Sequence, residues 1–252
     1  MTIKTLTLVF DIPLLPHQLP MWRGAIAEHA GWDDDNFHNH AGAKERVLYR
    51  YPSVQYRSID GKAALFALDN GVSAVQNMLL ASDGELRMGK RSYRLLIENF
   101  KQSDYPLSMS AEMKPYFLKS WLALNEDNFR TWDRLPSLAQ RTLMLEQILA
   151  SNIIAFAKAV NWQLPQRLEV TLLQIRSTHT VQHKGVQMVA FDVSFSANID
   201  LPEGLGLGKA VSHGFGVVSA LKEKRERKKV IVKKQVKENG ASFHLATFHS
   251  GL

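Results

Sequence analysis

Two histidines lie one residue apart in the segment 36–51, which reads NFHNHAGAKERVLYRY. Histidine titrates near neutral pH, so one imidazole can accept a proton while another donates one in the same reaction. In an extended segment, His38 and His40 would point to the same side of the chain. The pair is therefore a candidate for general acid and base catalysis.

The residues that follow the pair could assist such chemistry on a phosphate group. Lys44 and Arg46 can stabilise negative charge that develops on a reacting phosphate. Tyr49 or Tyr51 could stack on a nucleobase or bond to a phosphate oxygen. These four residues are predicted to bind the substrate or its transition state.

Two other interpretations of this segment stay open. Aspartates at positions 33–35 precede the histidines, and carboxylates with imidazoles can bind a metal ion. The segment nevertheless lacks the ligand spacing of common metal sites, such as two histidines one helical turn apart. A polar surface loop without function is the other interpretation. His179, His183, His244 and His249 are interpreted as exposed loop or strand residues.

Composition narrows the class of protein. The chain has 252 residues, 45% of them hydrophobic, so it can bury a core in one large domain or two smaller ones. Its formal net charge of +7 favours polyanionic partners. It has no cysteine, which excludes disulfides, thiolate zinc fingers and cysteine nucleophiles. We see no signal peptide or transmembrane stretch and expect a cytoplasmic protein without membrane contact.

Hydrophobic periodicity predicts an α+β protein with two similar halves. In the first half, the order of predicted elements is strand, helix, strand, strand, helix, strand, which is the ferredoxin-like pattern. Their predicted ranges are 2–12, 21–29, 47–57, 62–68, 72–80 and 86–100. Asp60-Gly61 would form the turn of the central hairpin.

The second half partly repeats this order. We predict a strand at 116–124, a long helix at 138–160, and a hairpin of residues 168–176 and 186–197 with the polar segment STHTVQHKG as its tip. No second helix is found, and a glycine-rich stretch occupies its place. We therefore predict two tandem ferredoxin-like (RRM-like) domains, residues 1–102 and 115–252, with the boundary near 103–114.

The C-terminal tail is strongly basic. Eight of the fourteen residues at 222–235 are lysine or arginine, and Asn239-Gly240 lies between two alternating runs. Asn-Gly at such a place is a strong hairpin signal, so we predict a basic β-hairpin that contacts RNA phosphates. The residues predicted to make these contacts are Lys222, Lys224, Arg225, Arg227, Lys228 and Lys229.

The segment at residues 203–216, EGLGLGKAVSHGFG, contains two pairs of glycines, and each pair flanks one apolar residue. Glycine permits positive φ and close approach of a ligand to the backbone. The spacing differs from that of nucleotide-binding loops. We predict that Gly206, Gly208, Gly214 and Gly216 bind RNA, together with the intervening Lys209 and His213.

The spacing of these glycines, near the end of a basic chain with two ferredoxin-like halves, resembles the RAMP (repeat-associated) superfamily. Within that superfamily, the chain is similar to CRISPR repeat-processing endoribonucleases. The resemblance implies metal-independent cleavage of CRISPR repeat RNA without a cofactor, leaving 5′-hydroxyl and 2′,3′-cyclic phosphate ends. It also implies a catalytic histidine in or after the first helix, where His29, His38 and His40 lie.

The resemblance leaves an alternative function open. A non-catalytic RAMP subunit that binds guide RNA inside a CRISPR effector complex would use the same fold and glycine loop. The histidine pair favours the enzyme, with His38 and His40 as acid and base in an unassigned order. CRISPR repeat RNA is the expected partner in either case, and effector-complex subunits or a second copy of the chain are further candidates.

Overall fold

A computed structural model describes residues 1–31, 34–37 and 51–221, and the backbone alone at 40–41 and 46–47. The predicted basic hairpin, with Lys222, Lys224, Arg225, Arg227, Lys228 and Lys229, lies outside the described residues. So do His38, Lys44 and Tyr49.

The described residues of the first half form two α-helices and eight strands. The helices are α1 (Leu19–Ala30) and α2 (Asn70–Ala81). The strands are β1 (Thr2–Pro13), β2 (His40–Ala41), β3 (Arg46–Val47), β4 (Val54–Ile59), β5 (Lys62–Leu68), β6 (Glu85–Met88), β7 (Arg91–Arg94) and β8 (Ile97–Pro106).

The main sheet of this half has the order β4-β5-β1-β8, with antiparallel neighbours. When the short hairpins are left out, the four strands of this half in chain order are β1, β4, β5 and β8. Their order in the sheet is then 2-3-1-4, which is the order of a ferredoxin-like sheet. The predicted turn at Asp60-Gly61 is confirmed, since both residues have positive φ, at 50° and 76°. This is the geometry that a tight hairpin requires.

The helices of the first half follow the predicted periodicity. Trp22 and Ile26 of α1 are fully buried, as is Val75 of α2. They pack on the face of β1 that carries Leu6, Leu8, Phe10 and Ile12. Gly31 follows α1 with φ 88°, a conformation that ends a helix at little cost for glycine.

The described part of the second half, up to residue 221, contains two α-helices and four strands. The helices are α3 (Glu126–Arg134) and α4 (Leu138–Ala159), and the strands are β9 (Met109–Trp121), β10 (Val170–His183), β11 (Val186–Ile199) and β12 (Val217–Ala220). The sheet order is β10-β11-β9-β12, again antiparallel. This is the same 2-3-1-4 arrangement as in the first half, so the fold is a tandem of two ferredoxin-like units.

The glycine-rich stretch takes the place of the second half's last helix, as predicted. The described segment between β11 and β12 contains a single helical element, one turn of 3-10 helix at Val211–His213. Two predictions were wrong. Helix α3 was not predicted, and STHTVQHKG is not a polar tip: its first seven residues belong to β10, and the turn is Lys184-Gly185.

The two halves share one of the two hydrophobic cores. Phe66 and Leu68 of the first sheet lie in the same buried cluster as Leu118, Phe156 and Phe195 of the second half. Residues Met1–Leu221 accordingly form one compact unit. The passage from one half to the other is short, because β8 ends at Pro106 and β9 begins at Met109.

Candidate functional site

The glycine loop of the second half, residues 203–216, is held by side chains from the first half. The Tyr51 hydroxyl donates to the carbonyl oxygen of Gly206, with an O–O distance of 2.6 Å. The Gly206 N–H donates to Oε1 of Gln55 at 3.1 Å, and Nε2 of Gln55 donates to the Tyr51 oxygen at 3.0 Å. Tyr51 and Gln55 thus satisfy both backbone groups of Gly206.

Arg57 extends this contact over the rest of the loop. Its Nη1 donates to the carbonyl of Val211 at 2.9 Å, and its Nη2 to the carbonyl of Gly204 at 3.3 Å. Nη2 also donates to Oε1 of Gln55 at 2.5 Å. The side chain is almost fully buried, and burial lowers the pKa of Arg57 to about 10, so it stays charged at neutral pH.

We call Tyr51, Gln55 and Arg57 the buried polar cluster. Burial raises the pKa of Tyr51, so its hydroxyl is a hydrogen-bond donor at neutral pH. The ring packs on Phe156 of α4, with centroids 5.7 Å apart. Tyr51 was predicted to contact substrate, but its bond to Gly206 and its packing instead support a structural role.

Replacing Tyr51 by phenylalanine is expected to destabilise the fold by about 1–2 kcal/mol, because the Gly206 carbonyl loses its hydrogen-bond donor. The loss would be measured by urea unfolding. Tyr93→Phe in β7, outside the buried polar cluster, is the matched control and should change stability by less than about 0.5 kcal/mol. Equal losses in the two variants would contradict the structural role.

The four predicted glycines are required by close packing. A Cβ at Gly216 would overlap the Leu207 carbonyl, and one at Gly206 would overlap the Val211 side chain. At Gly208 it would lie 2.6 Å from Trp121, and at Gly214 2.7 Å from Leu19 of α1. These contacts explain the glycines without RNA, and direct RNA contact by any of the four stays a prediction.

Five basic side chains from three elements surround the end of this loop. They are Arg23 of α1, His183 and Lys184 at the β10–β11 turn, and Lys209 and His213 of the loop. The rings of His183 and His213 meet edge to face, with centroids 4.8 Å apart, and His183 also contacts Phe215. We call these five residues the basic cluster.

Burial, and then the nearby cations, keep the two imidazoles of the basic cluster neutral. Burial, Arg23, His183 and Lys184 together lower the pKa of His213 to about 4. Burial, Lys184 and Lys209 lower the pKa of His183. Apart from the two rings themselves, the charged groups that act on them are all cations, which suits an anion.

The backbone of His40 and Arg46, two predicted site residues of the first half, is described. His40 and Arg46 lie in the short antiparallel pair of β2 and β3, where His40 is opposite Val47 and Ala41 is opposite Arg46. Only their backbone is described, so both the catalytic role and the arrangement of the predicted side chains stay predictions. His29, the third candidate, has its Nε2 2.8 Å from the hydroxyl of Ser82.

Sequence reasoning missed several residues of the site. Gln55, Arg57 and Arg23 were not singled out, and His183 was interpreted as an exposed residue. His183 is instead half-buried against His213. A signal for His183 was present, because His179, Val181 and His183 continue the alternation of the preceding strand.

The described residues contain neither a metal-binding cluster nor a membrane-spanning helix. They contain no group of three or more histidine, aspartate or glutamate side chains arranged to hold a metal ion. No helix in the described part of the chain is long and apolar enough to cross a membrane.

Comparison with known families gives matches to consecutive parts of the chain. Residues 1–105 match the Cas6b N-terminal domain, and residues 108–221 match the Cas6b C-terminal domain. Together with the tandem ferredoxin-like fold and its glycine loop, these matches define a RAMP-type protein. The chain belongs to the Cas6b family of CRISPR repeat-processing endoribonucleases.

Two solved structures share this fold, and one further protein is similar in sequence. The fold matches a crystal structure of Cas6b with a TM-score of 0.79 at 23% identity, over 88% of this chain and 100% of that one. It matches a CRISPR RNA processing endoribonuclease Cas6b with a TM-score of 0.68 at 21% identity, again over 88% and 100%. Uncharacterized protein MJ0978 of Methanocaldococcus jannaschii is 31% identical over 140 residues, which are 55% of this chain and 94% of that protein.

Proposed function

We propose that this chain is a metal-independent endoribonuclease that binds and cleaves CRISPR repeat RNA within precursor transcripts. The observation that carries the proposal is the match of both halves to Cas6b domains. The basic cluster beside the glycine loop supports it, because it gathers cationic groups from both halves where RNA phosphates could bind. The proposed domains are residues 1–102 and 115–252.

The proposed reaction is a transesterification at one phosphodiester. One imidazole of His38 and His40 removes the proton of the ribose 2′-hydroxyl, and the 2′-oxygen forms a bond to phosphorus. The bond from phosphorus to the 5′-oxygen breaks, and the other imidazole protonates that leaving oxygen. The products carry a 2′,3′-cyclic phosphate and a 5′-hydroxyl, with no redox change and no cofactor.

The remaining predicted residues would bind and stabilise the RNA. Lys44 and Arg46 would stabilise charge on the phosphorane, and Tyr49 would stack on a base. Lys209, His213 and the basic tail at 222–229 would contact phosphates along the strand. Tyr51 is left out of this role because its hydroxyl is bonded to Gly206.

The purified protein is expected to cleave the host's repeat RNA at one site in excess EDTA. The reason is that proton transfer by imidazoles needs no metal ion. The cleavage products would be resolved on a sequencing gel, and their ends tested with phosphatase and polynucleotide kinase. A strict requirement for a divalent cation would overturn metal independence. Tight binding without cleavage under any condition would instead identify a guide-RNA-binding subunit.

A further inference from the structure

The basic cluster contains two imidazoles that the proposed cleavage chemistry does not use. His183 comes from the β10–β11 turn and His213 from the 3-10 turn of the glycine loop. Ala210 and Gly214, with φ of 54° and 86°, flank that turn. The Nη1 of Arg57 holds the same turn through the Val211 carbonyl at 2.9 Å. The imidazole pair is therefore fixed by the fold.

The third member of the cluster, Arg23, has an unused donor. Its Nε is buried and has no hydrogen-bond partner in the described structure. Buried donors of this kind are uncommon, and an unmade bond to a charged group costs more than a neutral one. Arg23 acts electrostatically on both His213 and Tyr56, so its guanidinium lies near His213. A guanidinium with this unmet bonding capacity favours a ligand that accepts hydrogen bonds.

The charges around the pair indicate the chemistry of that ligand. The groups that influence the two imidazoles are Arg23 from α1, Lys184 from the β10–β11 turn and Lys209 from the glycine loop, all of them cationic. Asp34 acts on the neighbouring Tyr56, whose hydroxyl donates to the carbonyl of Phe37 at 3.0 Å. An anion with several acceptor oxygens, such as a phosphodiester, complements this arrangement.

We propose that Arg23, His183 and His213 form a binding site for one phosphodiester of the RNA, and that the imidazole pair takes up a proton when the phosphate binds. The proposal rests on the proposed function, because it takes the repeat RNA as the ligand. The guanidinium of Arg23 would donate to one phosphate oxygen, and a protonated His213 would donate to a second. Lys184 and Lys209 would contact neighbouring phosphates at the rim.

Linkage between proton binding and RNA binding sets the direction in which RNA affinity changes with pH. In the free protein His213 is neutral near pH 7, because its pKa is lowered to about 4. A bound phosphate offsets the surrounding cations and raises the pKa of His213 in the complex. The complex then holds more protons than the free components, so affinity rises as the pH falls. Uptake of one proton corresponds to an increase of about tenfold in affinity per pH unit.

The test measures affinity and proton uptake on the full-length protein with repeat RNA carrying a 2′-deoxy nucleotide at the cleaved position. Dissociation constants would be determined from about pH 8 to about pH 6, the range in which imidazoles titrate. Calorimetry in buffers of different ionisation enthalpy would count the protons. We expect net uptake by the wild type, a loss of at least about half of it in His213→Gln and in His183→Gln, and an unchanged value in the exposed His17→Gln control.

The outcomes separate the two proposals. RNA binding with no proton uptake, or with equal uptake in wild type, His213→Gln and His183→Gln, overturns the phosphate site and leaves the proposed function standing. Failure of the wild type to bind repeat RNA overturns both. Arg23→Gln adds a readout that does not depend on histidine: it should weaken RNA binding by about three- to tenfold at about 0.15 M salt and lower the salt dependence. Unchanged binding in this variant would also contradict the site.

Discussion

Replacing His38 and His40 together by alanine is expected to lower the rate of repeat RNA cleavage by at least about 10³-fold, while leaving RNA affinity within about threefold of the wild type. The ribose 2′-hydroxyl is a weak nucleophile and the 5′-alkoxide a poor leaving group. Without the two imidazoles, neither proton transfer has a catalytic group that titrates near neutral pH. The rate would be measured in single-turnover experiments with excess protein and EDTA.

The single variants and the pH profile refine this expectation. If one imidazole is the base and the other the acid, the wild-type rate has a bell-shaped pH profile, and each single alanine variant loses one limb of it. His17→Ala, on the exposed 3-10 turn before α1, is the control and should cut at the wild-type rate. A double variant that still cuts normally would contradict the assignment. Lost binding with unchanged chemistry would assign the pair to RNA recognition instead.

Gly216→Ala is expected to cost about 3 kcal/mol of folding stability and to weaken RNA binding. The added methyl group would overlap the carbonyl oxygen of Leu207, whose own N–H donates to the Gly216 carbonyl at 2.7 Å. Gly216 also has φ 65°, a region that L-residues disfavour. Relief of the overlap would displace the glycine loop, and the loop carries Lys209 and His213.

The variant Gly61→Ala separates the cost of the steric overlap from the cost of the positive φ. Gly61 has a similar φ, 76°, but a methyl group there would meet open space. This variant should lose only about 1 kcal/mol, the cost of the backbone conformation alone, and should bind RNA normally. Both free energies would be obtained from urea unfolding. Similar losses in the two variants would show that close packing at Gly216 does not matter.

The regular elements of the fold were predictable because their signals are local. The periodicity of α4 and the turn at Asp60-Gly61 are both present in the structure close to their predicted places. Helix α3 was missed because it buries no side chain completely. Its N-terminal signal was nevertheless in the sequence: Asn125 accepts a hydrogen bond from the N–H of Asn128 at 2.6 Å, ahead of two acidic residues.

The buried polar cluster could not be predicted from local pattern. In β4, alternation places Val54 and Tyr56 on one side and Gln55 and Arg57 on the other. A glutamine and an arginine on one face would ordinarily indicate solvent. Both are buried instead, because the glycine loop of the other half covers that face. Only the tertiary structure supplies this partner, so the positions of these residues in the site were not available from sequence.

The buried polar cluster also sets an order of events during synthesis. Tyr51, Gln55 and Arg57 bond to backbone groups that lie 147 to 155 residues later in the chain. A ribosome adds about 5–20 residues per second, so these partners are synthesised about 7–30 s after the first half. Until then the Arg57 guanidinium keeps its hydration shell. The nascent first half can build its own sheet early, but the glycine loop reaches its final position only when the second half docks.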